Sequence, residues 1–176
     1  MPDYVMSAPV TPERVVDTNV AIVANGRDAW PVECELACIN LLQDVVAHGG
    51  LTLDALGLIV AEYARHLNFS GQPGVGDAFF RWVQNNQYND DHCTRVEITP
   101  DGEGSFLEFP TDAALSRFDP ADRKFVATAI AHGKAEIVVG TDSDWWQHRD
   151  ALAAAGVPIR FLSERYFREK YPADPR

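Results

Sequence analysis

Five acidic side chains, Asp17, Glu62, Asp122, Asp142 and Asp144, are the groups in this sequence whose types and positions could do chemistry. Asp17 follows the β-branched run Arg14-Val15-Val16, and Asp142 follows Ala135-Glu136-Ile137-Val138-Val139-Gly140-Thr141. Each carboxylate is thus delivered to the end of a strand that reads as covered on both faces, where open α/β sheets bind their ligands. Asp122 falls in the first turn of a helix opened by Asp119-Pro120, and Glu62 lies inside a helix. Each acid has a local alternative. Asp17 could cap the helix after it while Asn19 makes a turn. Glu62 could pair with Arg65 or His66 in solvent. Asp122 could favour the helix dipole and reach back to the Asp119 backbone, and Asp142 with Asp144 could form a turn and a cap. Gathered at one sheet edge, the same acids would raise each other's pKa values unless cations compensated, and hard divalent cations with oxygen ligands are the usual compensation.

The elements that must position these acids alternate between strand and helix. After the first strand, Pro31 opens a helix over 32–48 with Leu36, Ile39, Leu42 and Val46 at helical spacing, closed by Gly49-Gly50. Leu51-Thr52-Leu53 reads as a strand. Asp54 caps a helix through Leu67 whose buried stripe is Leu56, Ile59, Val60, Tyr63 and Leu67. The glycines of Ser70-Gly71-Gln72-Pro73-Gly74-Val75-Gly76 follow no strand and precede no Lys-Ser or Lys-Thr pair, so they read as a linker and not a phosphate cradle. Asp77 caps a third helix with Phe79, Phe80, Trp82 and Val83. Arg95 to Thr99 and Phe106 to Phe109, flanking a Gly-rich turn, predict a β-hairpin inserted at about 93–110. A helix from Pro120 to Gly133, the strand 135–140, a helix over 147–155, a strand over 157–162 and a terminal helix over 163–170 complete an α/β chain. The expected architecture is one domain over 1–176, a three-layer α/β/α fold around a mostly parallel sheet.

Composition narrows the classes. A chain of 176 residues with 46% hydrophobic and 23% charged residues can bury one globular core. No apolar run approaches a membrane span, and Met1-Pro2-Asp3-Tyr4 lacks a signal peptide's pattern, so the reading is cytoplasmic with no membrane partner. Residues before Glu13, with Pro2, Pro9 and Pro12, read as a loose leader. Three cysteines, Cys34, Cys38 and Cys93, are an odd number for a disulfide framework and read as small hydrophobes. A zinc site with His92 matches no familiar ligand spacing. A net charge of −11 argues against a broad basic nucleic-acid face, though not against binding through cations held by acids.

In combination, Val16-Asp17-Thr18-Asn19-Val20, the helical Glu62, Asp122 with Phe125-Val126-Ala127-Thr128-Ala129, and Gly140-Thr141-Asp142-Ser143-Asp144-Trp145 resemble the PIN-domain nucleases over most of the chain, from about Arg14 to Leu162. The resemblance implies a PIN-like fold and hydrolysis of phosphodiester bonds, with single-stranded RNA the preferred substrate. It implies Asp17, Glu62, Asp122 and Asp142 as catalytic, metal-binding acids for Mg²⁺ or Mn²⁺, Asp144 as a fifth ligand, and Asn19 and Thr141 as polar supports around the attacking water. In that mechanism the ions lower the pKa of a water and offset charge on phosphate, and Asp144 or Glu62 accepts the proton. Arg65, Arg123, Lys124 and Arg149 are candidates to guide the strand, with a solvated or ion-paired surface role favoured for any one of them, and Tyr63, Trp145 and Trp146 are candidates to stack bases, with core packing favoured for Trp145. A toxin–antitoxin role would add an antitoxin partner, and self-association is a further candidate. The inserted hairpin and the chain length depart from the compact toxins of the family.

The rivals are weaker. Haloacid-dehalogenase-type phosphatases want an Asp where Asn19 stands, and phospho-acceptor domains want a lysine at the end of a late strand, which neither Val139-Gly140 nor Phe161-Leu162 offers. An inactive PIN-like module that binds a protein partner through the hairpin and Arg165-Tyr166-Phe167-Arg168 would have no need for so many converging carboxylates.

Overall fold

The structure, a computed structural model, describes residues 10–172. Most of the leader expected before Glu13 lies outside the described residues. Five short strands form the sheet: β1 (Arg14–Val16), β2 (Leu51–Asp54), β3 (Cys93–Val96), β4 (Glu136–Val139) and β5 (Ile159–Phe161). Their order is β3-β2-β1-β4-β5 and every neighbouring pair is parallel, with Val15 opposite Ile137 and Leu53 opposite Arg95. Every residue of β1 and β2 is buried, as expected for strands covered on both faces.

Among the described residues, eight α-helices complete the layers: α1 (Thr18–Ala24), α2 (Val32–His48), α3 (Leu58–His66), α4 (Val75–Asn86), α5 (Arg123–His132), α6 (Ser143–Gln147), α7 (Arg149–Ala154) and α8 (Glu164–Lys170). The chain steps outward through β1, β2 and β3, then returns to the far side of β1 for β4 and β5. Right-handed connections in opposite directions lie on opposite faces of a sheet, which makes the three-layer α/β/α arrangement. α1 packs on α2 and α4, and α5 on β1, β2 and β4. The reversal of direction falls between β1 and β4. Ligands of open α/β sheets bind at the carboxyl ends of strands flanking such a reversal; here those ends are Val16-Asp17 and Val139-Gly140.

Several local expectations are corrected. In α2 the buried stripe is Cys34, Cys38, Leu41, Leu42 and Val45, whereas Leu36 and Val46 face solvent. Leu56 is exposed because α3 begins at Leu58, after a turn with Gly57 at a φ of +78°. Asp54 still caps that helix, accepting from the amides of Leu58 and Ile59 at 2.8 Å each. α4 starts at Val75, so Asp77 lies in its first turn and reaches back to the Gly74 amide. Gly76 is more than linker: a Cβ there would lie 1.9 Å from the Ala21 carbonyl oxygen, so glycine is what lets α4 meet α1. The expected helix over 147–155 is α7, which starts at Arg149, and a further short helix, α6, precedes it over Ser143–Gln147.

The inserted hairpin at 93–110 is not formed as expected. Its first half, Cys93–Val96, is a strand of the main sheet, paired parallel with β2. Antiparallel pairing is confined to the bridge between Pro100 and Phe106. The β-branched and apolar residues of this run have a buried edge to join at β2, which outcompetes a solvent-exposed two-strand ribbon. What remains is a loop over 97–112 tied into the core. Phe109 stacks on Phe118, which meets Trp145 edge-on at 4.9 Å.

Candidate functional site

Asp17 ends β1 and Asp142 lies three residues past β4, so the parallel pairing of those strands sets both carboxylates at the reversal of the sheet. Asp17 occupies the position before α1 but makes no side-chain capping bond, so the simple capping role is not taken up. The residue is 2% exposed, and its Oδ2 has no hydrogen-bond partner among the described residues. Burial first, then the charges of Asp122, Asp142 and Glu62, push its pKa well above the usual carboxylate value. These four acids are therefore electrostatic neighbours.

Asp122 closes a 3-10 turn, Pro120–Asp122, at the start of α5 and is buried. Desolvation, followed by the charges of Asp142, Asp119 and Glu62, raises it to about 8 against the lowering effect of Lys124. The expected reach of its carboxylate to the Asp119 amide does not occur: that amide donates to Asp144 Oδ2 at 2.9 Å. Asp142 does cap α6, accepting from the Asp144 amide at 2.9 Å, and its pKa is still raised, by desolvation and by Asp144, Asp119 and Glu62. Asp144 also approaches His148 Nδ1 at 3.3 Å, which leaves it a bracket between the Asp119 turn and α6 at the rim of the cluster.

Glu62 enters from α3. Thr18 Oγ1 donates to its Oε1 at 2.8 Å, and Lys124 Nζ is ion-paired with its Oε2. Its partners are thus neither Arg65 nor His66. Thr18 sits beside Asp17 in the run Val16-Asp17-Thr18-Asn19-Val20, and its hydroxyl is the signal the sequence offers for this contact. Asn19 Oδ1 accepts from the Thr141 amide at 2.6 Å and from Thr141 Oγ1 at 3.3 Å, which ties the turn after β4 to α1. Beneath the cluster, Tyr63 is fully buried and its hydroxyl donates to the Val16 carbonyl at 2.5 Å. That hydroxyl fixes the backbone that carries Asp17.

The basic and aromatic candidates divide. Lys124 is buried in the cluster, where it also donates to the Ala121 carbonyl, and is a counter-ion instead of a strand guide. Arg123 Nη2 donates to the carbonyls of Ser116 and Phe118, with the guanidinium over the Phe109 ring, so it anchors the 97–112 loop. Arg149 donates to the Trp146 carbonyl and stacks on its ring at 4.2 Å, engaged with α6. Arg65 alone of the four is exposed and makes no hydrogen bond or ion pair among the described residues. Tyr63, Trp145 and Trp146 are all buried and are not placed to stack bases. Trp146 lies parallel to Phe167 at 4.9 Å and serves the packing of α8.

Cys34, Cys38 and Cys93 are buried free thiols, and burial pushes Cys38 and Cys93 up to about 12. Among the described residues no group of three or more His, Cys, Asp and Glu side chains is arranged to hold a metal ion as it stands. The donor chemistry of the cluster nonetheless suits a hard cation: all its ligand atoms are oxygens, three acids have raised pKa values, and a buried carboxylate oxygen is orphaned. The described residues contain no helix long and apolar enough to cross a membrane. Compared with protein-family models, curated proteins and solved structures, the chain matches none.

Proposed function

We propose that this chain is a PIN-like, divalent-metal-dependent nuclease that hydrolyses phosphodiester bonds, with single-stranded RNA as preferred substrate. The observation that carries the reading is Asp17: a carboxylate at the reversal of a parallel sheet, surrounded by Asp122, Asp142 and Glu62, with a buried oxygen lacking a partner among the described residues. A structural carboxylate at such a depth is ordinarily hydrogen-bonded or paired.

In this reading Asp17, Glu62, Asp122 and Asp142 would hold Mg²⁺ or Mn²⁺, which would supply the positive charge that acidifies a water and offsets the phosphate. Thr18 fixes the orientation of Glu62. Asn19 holds Thr141 against α1, so that Asp142 keeps its place. Asp144, partly open to solvent and backed by His148, accepts the water's proton. The net negative charge outside the site slows association with nucleic acid and makes binding salt-sensitive. A cytoplasmic role as the toxin of a toxin–antitoxin pair is compatible with this chemistry.

The test is cleavage of mixed single-stranded RNA and DNA pools by the purified chain in Mg²⁺, Mn²⁺ or EDTA, beside Asp17→Asn and Asp122→Asn. Metal-dependent cutting lost in both variants is the expected result, and the pool degraded gives the substrate. If the folded parent cuts neither pool with either metal, the nuclease reading fails and an inactive PIN-like module with a protein partner takes its place.

A further inference from the structure

Beside the acidic cluster runs a groove of about 450 Å³ between α3 and the 97–112 loop. One wall is the face of α3 carrying Leu58, Ala61 and Arg65; the other is the loop at Pro100 and Phe106; the floor is Ala121 and Lys124. Lys124 is shared: it lines the groove and is ion-paired with Glu62. The groove therefore abuts the cluster through Lys124.

Its chemistry differs from the rest of the surface. The chain has 26 acidic residues against 15 lysines and arginines, yet the lining contains Arg65 and Lys124 and no acid. The neighbouring hollow along Phe109 to Ser116 has Asp101 and Asp112 in its lining beside Arg123. Arg65 carries an exposed charge with no partner among the described residues, while Phe106 presents a half-buried ring beside proline and alanine. A cation next to apolar and aromatic surface is the pattern that binds the phosphate and base of an unpaired strand. The volume lies in the range of clefts that hold small molecules, which admits one splayed nucleotide and excludes a duplex.

The wall is also held in shape. Asp101 Oδ1 accepts from the amides of Glu103 and Ser105 at 2.8 and 2.9 Å, and the Asp101 amide donates to the Ser105 carbonyl. The Leu107 amide donates to the Thr99 carbonyl at 2.8 Å, and Pro100 bridges Phe106. These bonds reduce the ordering cost that the loop bears when a strand arrives.

Resting on the nuclease reading, we propose that this groove is the subsite for one nucleotide of a single-stranded nucleic acid flanking the scissile phosphate, with Arg65 on a phosphate and Phe106 against the base. The 97–112 loop thereby sets which strands the cluster acts on. The test uses the full chain with a fluorescein-labelled single-stranded oligouridylate of about 12 nucleotides and its oligothymidylate counterpart. Anisotropy is read in EDTA and in Ca²⁺ over a salt series, for the parent, Arg65→Gln and Phe106→Leu. Arg65→Gln should weaken binding severalfold and reduce the magnitude of the log-salt slope by about 0.7. Phe106→Leu, which keeps apolar bulk and removes the ring, should weaken binding about tenfold with the slope unchanged. A parent that binds neither oligonucleotide in either condition, or folded variants that both bind as the parent does, would overturn the proposal. A chain that cuts, with both variants keeping parental affinity, loses the subsite and keeps the nuclease. A chain that binds through Arg65 and Phe106 but never cuts keeps the subsite and loses the nuclease.

Discussion

Lys124 Nζ is ion-paired with Glu62 Oε2, with the two side chains only 9% and 12% exposed. α5 thus carries a counter-ion into a cluster of acids that otherwise repel one another. Removing one partner of a buried pair strands the other's charge and typically costs about 3–5 kcal/mol. Lys124→Met should therefore lower unfolding free energy by about 3 kcal/mol in EDTA, measured by urea denaturation. Lys124→Met combined with Glu62→Gln should lose less than the two single changes added together. Purely additive losses would show that the pair is not coupled.

The raised carboxylates make stability depend on pH in a definite direction. Asp122 is raised from 3.8 to about 8, so between those values the folded state binds more protons than the unfolded one. Stability is fully present below the unfolded value and is lost as pH rises through the folded one. Asp17 and Asp142 are raised as well and act in the same sense. Hydrogen bonds and ion pairs hold Asp44, Asp77 and Asp101 below the usual range, and their contribution is lost only at more acid pH. The melting temperature in EDTA should therefore fall from about pH 5 to pH 8. Asp122→Asn should flatten that decline and gain about 1–3 kcal/mol at pH 8. A parent whose melting temperature rises across this interval would contradict the shared charge of the cluster.

Gly140 permits the contact that places Asp142. A Cβ there would meet Asn19 Oδ1 at 2.6 Å, Cys38 Sγ at 3.3 Å and Val20 Cα at 3.5 Å. The amide oxygen cannot withdraw without giving up the Thr141 amide. Gly140→Ala should cost about 1–3 kcal/mol in chemical denaturation, as overpacking of a filled site does. Asn19→Ala in the same background should remove most of the clash, and an unchanged penalty in the double variant would place the strain elsewhere.

How much of this was legible in the sequence follows from which interactions are local. The apolar strands, the parallel sheet and the acids at strand ends can be read from short runs, because burial on both faces leaves a continuous hydrophobic pattern in Val15-Val16 and Ile137-Val138-Val139. The partners of Glu62 could not be read. Thr18 and Lys124 lie 44 and 62 residues away in the chain, and their approach depends on how α3 and α5 lie against β1 and β2. The ring partners of Arg123 and Trp146, Phe109 and Phe167, are non-local too. An arginine or tryptophan near a functional motif in sequence has no preference between solvent and structure until the loop it braces is placed. The 93–110 hairpin failed because an alternating run carries no information on whether its best edge is its own other half or a distant strand such as β2.

Tyr63 separates positioning from substrate contact. Its ring meets Phe79 edge-on at 5.7 Å inside the core, and its hydroxyl donates to the Val16 carbonyl, one residue before Asp17. Deleting the hydroxyl leaves that carbonyl without its side-chain donor while the ring packing stays. Tyr63→Phe should therefore lower unfolding free energy by about 1–2 kcal/mol, the cost of a lost buried hydrogen bond. Its oligonucleotide affinity should stay at the parental value, because the ring is enclosed on all sides. Phe106→Leu is expected to show the opposite pattern, with near-parental stability and weakened binding. A Tyr63→Phe variant of parental stability that binds oligonucleotide more weakly would place Tyr63 in contact with the strand and require the core around α3 to open.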